Sequence, residues 1–529
     1  MTPTLVGLVF ARIDNKVYEP GSRVTSQLLS MATFDTTIVV LYFAVLGLLA
    51  LFGLHRLWLV LLYWRAQRRP RPPAPIQQDL PAVTVQLPLY NERFVAERLI
   101  DAVARLDYPR DRLQVQVLDD STDDTRDVVA AAVARWRAVG VDIVQVRRSD
   151  RTGYKAGALE NGLKTASGEI VAIFDADFVP DRDFLRLTVG EFGDPRVGMV
   201  QARWGHLNVN ESILTRVQAM MLNGHFVVEH TARWASGRFF NFNGTAGMFR
   251  KSCIAEAGGW EHDTLTEDLD LSYRVQLLGW KFVYRPDVIA AAELPSSITA
   301  FKSQQFRWTK GSIQTARKLL GRVLTARIPL RVRVEACFHL LNNSAYLLLT
   351  LLAALLPLAI VARAGHGMGV ALAVDLPIFV FSTLSIGIFF VVSEAVIGGR
   401  WWWRALLLPL VFAVGIGICV NNGRAVLEAL LGRESPFLRT PKTGQDPAAS
   451  QQGRSRAGYR SLAGWVPVVE LAFAVYYALA MVQAASAGRY LSLPWCALFF
   501  IGFAVVGGAS LLEAARHQPL WRLAPASSR

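Results

Sequence analysis

EIVAIFDADF, residues 169–178, decides the fold. Positions 170–174 are apolar without interruption, the pattern of a strand buried on both faces. The run ends in the acidic turn Asp175-Ala176-Asp177. Upstream, three more strand-like runs stand at VTVQL (83–87), LQVQVL (113–118) and VDIVQV (141–146). Helix-like stretches lie between them. The first, 92–106, repeats Phe94, Val95, Leu99, Ile100 and Val103 along one face. Two more follow at about 124–138 and 154–166. This alternation predicts an α/β domain over 81–325 with a largely parallel sheet and covering helices. Ligands of such sheets bind beyond the C-terminal ends of the strands, so the polar residues after each strand are the first candidates for a site.

Outside this block the chain is apolar. Hydrophobic residues make up 52% of 529 positions, and they are concentrated rather than spread. Residues 37–64 are long enough to cross a bilayer, which takes about 20 apolar residues. His55 and Arg56 interrupt the run near its end. A basic, Pro-rich linker follows at 65–80, and positive charge beside a span marks the cytoplasmic side. Apolar runs return within 337–397, expected as two spans, and within 464–514, expected as two more. Residues 401–432 carry Pro409, Gly415, Gly417 and an amphipathic end, and read as a helix lying at the membrane interface. Five spans put 1–36 outside, and the block 81–325, the basic loop 433–463 and the tail 515–529 inside. The expected location is the plasma (inner) membrane with the soluble block cytoplasmic. The net charge of +14 invites an anionic partner. The arginines gather at span boundaries rather than along one soluble face, which favours membrane lipid and disfavours nucleic acid. No cysteine pair has metal-ligand spacing.

At the strand ends stand Tyr90, Asn91 and Glu92, then Asp119, Asp120, Asp123 and Asp124, then Asp175 and Asp177. Two acidic clusters at neighbouring edges repel unless a cation joins them. An Asp-x-Asp turn offers carboxylates to Mg²⁺ or Mn²⁺, with substrate phosphates filling other positions. Asp123 and Asp124 read better as turn or helix-cap residues. Lys155 opens a helix among glycines, which suits a phosphate group or simply a solvated surface. FNFNGTAGMFR (240–250) is too apolar for an exposed loop. In LTEDLDLSYRVQLLG (265–279), Glu267 stands at capping-box spacing from Thr264, which leaves Asp268 as a candidate general base. Gln304, Arg307 and Trp308 in FKSQQFRWTKG (301–311) share one helix face. A membrane-interface aromatic is the competing reading of Trp308.

The ordered set LPLYNE, VLDDSTDDT, KAGAL, DAD, FNGTAG, TED and QQFRW resembles family 2 glycosyltransferases with the GT-A fold. In particular it is similar to membrane-embedded processive β-glycan synthases of the cellulose synthase and plant cellulose-synthase-like groups. The resemblance covers 81–330 closely and extends less specifically to about 445. It implies that Tyr90, Glu92 and Asp119 or Asp120 meet the nucleotide sugar, together with Lys155, Asp175, Gln304 and Arg307. It implies Asp175 and Asp177 as ligands of Mg²⁺ or Mn²⁺, and Asp268, with Glu267 beside it, as the catalytic pair. Phe242, Asn243, Gly244, Thr245 and Trp308 would line the acceptor side. Phe437, Thr440 and Lys442 match a cytoplasmic gating loop, in which Arg439 departs from the usual valine.

The implied reaction is an inverting, metal-dependent hexosyl transfer from UDP-glucose or GDP-mannose. Its product is a β-linked polysaccharide passed across the membrane. Two alternatives stand: transfer of a single sugar to a lipid acceptor, and an inactive membrane transporter or scaffold. The carboxylates at 175, 177 and 268 disfavour the last.

Overall fold

The computed structural model describes residues 23–68, 79–363, 374, 376–434 and 464–517. Its first element, α1 (Arg23–Gln67), contains the expected span at 37–64 and runs past it at both ends. Val40, Leu41, Leu48 and Leu51 on its surface are exposed, an apolar stripe that water disfavours.

β1 (Val83–Leu89), β2 (Leu113–Asp119), β3 (Ile143–Val146) and β4 (Ile170–Ile173) fall within two residues of the expected strands. They pair in parallel in the order β3-β2-β1-β4. The intervening helices are α2 (Ala96–Ala104), α3 (Thr125–Ala138) and α4 (Tyr154–Leu163). α2 buries the face its apolar spacing predicts. That face is Leu99, Ile100 and Val103, all fully buried, each contributing roughly 2 kcal/mol of transfer free energy.

The sheet then departs from the parallel expectation. Beyond β4 the chain forms β5 (Phe178–Pro180), α5 (Phe184–Val189), β6 (Val197–His206) and α6 (Ile213–Asn223). A π-helical turn at Gly224–His230 joins α6 to α7 (Thr231–Ala235). After these come β7 (Gly247–Arg250), α8 (Lys251–Glu256), α9 (Glu267–Leu277), β8 (Lys281–Ala292) and the long α10 (Ile298–Thr325). β7 enters antiparallel between β4 and β6, and the complete order is β3-β2-β1-β4-β7-β6-β8-β5. β7 is only four residues long and follows a glycine-rich turn, too short to announce its direction by periodicity. One apolar core lies under α2, α3 and α5, and a second under α4, α8 and α9.

Among the described residues, four helices are long and apolar enough to cross a membrane: Thr33–Gln67, Leu330–Ala362, Val466–Ser486 and Tyr490–Arg516. Within 374–397 the described apolar helix, Phe381–Ile397, is shorter. Residues 401–432 form two helices, Trp401–Gly417 and Cys419–Leu430, bent by 43°, where a single interface helix was expected. The bend falls where Gly417 packs against the backbone of Gly502 and the side chain of Val506. Counted as one unit, the bent pair makes a fifth candidate span.

α10 ties the two parts together. The Glu513 carboxylate accepts from the Ile298 and Thr299 backbone N–H groups at 2.9 and 3.0 Å, capping the helix from the last apolar helix. Lys302 Nζ lies 2.7 Å from buried Glu470, and Lys310 Nζ lies 2.9 Å from Glu428.

Candidate active site

A cleft of about 230 Å³ opens at the C-terminal ends of β1, β2 and β4, where the strand-end rule places it. Tyr90, Glu92, Asp120, Lys155, Asp175, Asp177, Asn243, Gly244, Glu267, Asp268, Gln304, Arg307 and Trp308 all line it. They come from the β1, β2 and β4 ends, the α4 and α9 N-termini, the loop before β7, and α10. Gln304, Arg307 and Trp308 share the face their spacing predicts.

Lys155 is the hub. Its Nζ lies 2.5 Å from Asp175 Oδ1, 2.9 Å from the Gly244 carbonyl and 4.0 Å from Glu267. Burial acts to lower its ammonium, yet the charges of Asp175, Glu267 and Asp268 hold it above its usual value. Burial, reinforced by the charge of Glu267, pushes the Asp268 carboxyl up to about 7 against the pull of Lys155 and the Leu269 N–H. Burial raises Glu267 as well, again opposed by Lys155. A carboxyl poised near 7 is what proton abstraction at neutral pH calls for.

The surroundings hold these groups in place. Gly244 adopts φ +81°, and a Cβ there would stand 3.1 Å from Asp268 Oδ2 and 3.4 Å from Lys155 Nζ. Gly311 of α10 admits Thr266, since a Cβ at 311 would lie 2.8 Å from the Thr266 backbone nitrogen. Gln314 accepts from the Leu265 N–H at 3.0 Å. The turn that presents Glu267 and Asp268 is therefore fastened to the helix that presents Arg307. Among the described residues three non-glycine residues adopt positive φ: Asn91 after β1, Tyr154 at the start of α4 and Ala246 just before β7, near functional loops where backbone strain tends to collect.

Several expected residues stand elsewhere. Asp119 is buried behind the cleft. Its Oδ1 accepts from the Ser121 N–H at 2.9 Å and its Oδ2 from Gln145 at 2.8 Å. Asp120 is the one that faces the cleft, gripped by Arg148 at 2.8 and 2.6 Å. Phe242 is fully buried, edge-on to Phe249, and Thr245 Oγ1 accepts from the Asp175 N–H at 2.9 Å. These two support the loop before β7, while Asn243 and Gly244 form its surface on the cleft. The capping box is absent: α9 begins at Glu267 after Thr266, and Thr264 Oγ1 has no partner. Glu267 is thereby released from a capping role and faces the cleft. Asp123 Oδ1 accepts from the Thr125 N–H at 3.0 Å, the turn role expected of it, whereas Asp124 stands at the N-cap position of α3 without a side-chain cap bond and pairs instead with Arg93. Phe437, Thr440 and Lys442 lie outside the described residues.

The structure adds residues the sequence did not single out. Arg151 stands 3.1 Å from the Tyr90 ring centroid. Arg148 and Arg151 both follow β3, and the strand-end rule applied to β3 would have found them. Trp204 and His206 line the cleft from the end of β6, and Glu293 from the end of β8; neither strand was expected. Trp204 faces Trp308 at 6.4 Å between ring centroids.

Asp175 and Asp177 bring hard carboxylate oxygens to one wall, and Asp175 already has a cation, Lys155, against it. In the cleft, carboxylates outnumber the cations Arg151, Lys155 and Arg307, so the donor set fits Mg²⁺ or Mn²⁺ together with a diphosphate. A second acidic group, Glu261, Asp263 and Asp270, also brings carboxylate oxygens together. Lys318 is already its cation, paired with Glu261 and 2.7 and 3.0 Å from Asp263 and Asp270.

Residues 81–311 match the model of the family described as Glycosyltransferase like family 2. The chain is 45% identical over 268 residues to glucomannan 4-beta-mannosyltransferase 1 of Oryza sativa subsp. japonica, covering 50% of this chain and 51% of that protein. It is 44% identical over 278 residues to glucomannan 4-beta-mannosyltransferase 2 of Arabidopsis thaliana, covering 50% and 52%. The match thus spans about half the length of these relatives. The mannosyltransferase PcManGT from Pyrobaculum calidifontis, solved with GDP-Man and Mn²⁺, aligns over 76% of this chain and 100% of its own, with TM-score 0.47 and 23% identity.

Proposed function

We propose, from the match of residues 81–311 to the family 2 glycosyltransferase model, that the protein is an inverting, processive β-glycan synthase using a nucleotide-activated mannose. Of the two donors the motifs imply, GDP-mannose and UDP-glucose, the mannosyltransferase relatives favour the first. One observation carries the reading: Asp268, Lys155, Arg307 and Trp308 line a single cleft.

In this mechanism the nucleoside lies by Tyr90 and Arg151, near Asp120 held by Arg148. Lys155 and Arg307 take the diphosphate, and Gln304 the sugar or its phosphate. Trp308 and Asn243 orient the acceptor, with the face of the indole against a sugar ring. Asp268 removes the proton of the acceptor hydroxyl as its oxygen bonds to the anomeric carbon. The bond from that carbon to the diphosphate oxygen breaks on the opposite side, so an α-linked donor yields a β-linked product. Positioning and charge stabilisation supply the rate. Held by Asp175 and Asp177, Mg²⁺ or Mn²⁺ would add positive charge at the departing diphosphate.

The domain lies on the cytoplasmic side of the plasma (inner) membrane in this reading, and the apolar helices carry the glycan outward. The positions of Glu470 and Glu513, both bonded to α10, support placing the start of Val466–Ser486 and the end of the last helix on the domain's side. The bent pair Trp401–Gly417 and Cys419–Leu430 stays on that side, tied by Glu428 to Lys310.

The test is purified protein in lipid nanodiscs given GDP-mannose or UDP-glucose with Mg²⁺ or Mn²⁺, followed by linkage and length analysis. A β-linked polymer containing mannose is expected. A single-sugar lipid, or no donor turnover, overturns the reading.

A further inference from the structure

The break that His55 and Arg56 make in the first apolar run has no part in the chemistry above, yet both side chains are engaged. Arg56 pairs with Glu229, and His55 Nε2 lies 2.9 Å from Glu335. Arg233 joins these two carboxylates, with NH1 3.0 Å from Glu229 and Nε 3.0 Å from Glu335. Both carboxylates and Arg233 are buried. From Glu229 the chain continues inward: His225 Nδ1 lies 3.3 Å from Glu229 Oε2, and His225 Nε2 lies 2.9 Å from Asn243 Nδ2. Asn243 Oδ1 lies 2.7 Å from His230 Nε2, which also lies 3.1 Å from the Asn241 carbonyl.

The proton positions along this chain are determined from both ends. Glu229 is paired with two arginines and only accepts, so His225 donates from Nδ1 and accepts at Nε2. Asn243 must then present its NH₂ to His225 and its carbonyl oxygen to His230. The Asn241 carbonyl also only accepts, so His230 carries its proton on Nε2, which suits the Asn243 oxygen. Burial keeps both rings neutral, holding His225 well below its usual value and His230 down to about 3. Reversing the Asn243 amide would break both histidine contacts. The backbone is fixed as well, since the Asn243 N–H donates to Gln201 Oε1 at 3.0 Å.

We propose that His225, His230, Glu229 and Arg56 are positioning residues that set the orientation of the Asn243 amide toward the acceptor sugar, so that the first apolar helix forms part of the acceptor site. This rests on the glycosyl-transfer reading and deepens it. The π-helical turn at Gly224–His230 is what lets His225, Glu229 and His230 all join the chain, since its widened spiral shifts their spacing from that of an α-helix.

The test uses the full chain in nanodiscs and compares transfer to acceptor with hydrolysis of the donor by water. In His225→Asn the side chain reaches only the Nδ1 position and loses Asn243. In His225→Gln it reaches the Nε2 position and keeps an acceptor there. His225→Asn and Arg56→Gln are expected to lower transfer about tenfold or more and to raise the acceptor KM, because misplacement near 1 Å has effects of that order. Donor KM and hydrolysis should stay within about twofold, and His225→Gln should recover most of the transfer. A merely structural clamp would lower transfer and hydrolysis in parallel. That result, or equal activity of the two His225 variants, overturns the proposal. Should Arg56→Gln not fold, the His225 pair decides. Wild-type protein that turns over no donor refutes the function proposed above; parallel losses in an active protein refute only the positioning chain.

Discussion

Asp268 offers the sharpest quantitative test. Its carboxyl is raised from 3.8 to about 7, first by burial and next by the charge of Glu267. As general base it must be ionised, so kcat/KM should fall with unit slope below about pH 7. At pH 5 only about 1% of the sites are ionised, and activity should be about 100-fold below its plateau. Changing Glu267→Gln removes the charge that raises Asp268 and frees Lys155 to act on it. The acid limb of the variant should therefore move to lower pH, and its activity at pH 6 should rise relative to its own plateau. The same shift appears in stability with a definite sign. The folded protein holds the proton more tightly than the unfolded chain between about pH 4 and 7. Stability from that group is complete below about 4 and is lost as pH rises through about 7, by at most about 4 kcal/mol. Asp268→Asn should thus abolish transfer while raising Tm relative to wild type at pH 8, with the gain vanishing near pH 4. The assays are initial rates across pH 5–9 and thermal unfolding of the nanodisc-embedded protein. A profile flat from pH 5 to 8, or an acid limb that Glu267→Gln leaves in place, refutes the assignment of Asp268 as base.

Gly311→Ala should displace Thr266 and the carboxylates after it, because the new methyl would lie 2.5 Å from Thr266 Cγ2; kcat should fall at least about tenfold with about 1–3 kcal/mol of overpacking, read by rates and Tm. Glu513→Ala removes an acceptor from two backbone N–H groups of α10 and should cost about 1 kcal/mol, seen as a lower Tm. Lys155→Met should raise the donor KM at least about tenfold, since hydrogen bonds to charged groups contribute about 1.5–3 kcal/mol. A chelator should stop transfer and Mn²⁺ restore it, and Asp177→Asn should raise the Mn²⁺ concentration needed for half-maximal rate.

Much of the catalytic half was legible because its signals are local. β1 to β4 are short apolar runs bounded by turn residues, and their positions follow from period and punctuation alone. Lys155, Asp175, Asp268 and Arg307 were legible as ordered motifs. The choice between Asp119 and Asp120 was not, because it depends on which of two adjacent side chains faces out of the sheet. Glu267 carries two meanings in sequence, helix cap and cleft carboxylate, and only the start of α9 one residue after Thr266 separates them. Phe242 and Thr245 share a motif with Asn243, yet their side chains turn into the core while Asn243 turns outward.

By itself the sequence determined an α/β block set between apolar helices, with its acidic and basic groups at strand ends. Hydrophobic period and turn chemistry act within ten or fifteen residues, so they survive in one dimension. Only the tertiary structure decided the antiparallel entry of β7 and the reach of Trp204, His206 and Glu293 into the cleft. It alone brought Arg56 to Glu229 and Glu513 to the start of α10. Those contacts join residues more than a hundred positions apart. They are fixed by packing and by the need of each buried charge for a partner, which no local pattern records.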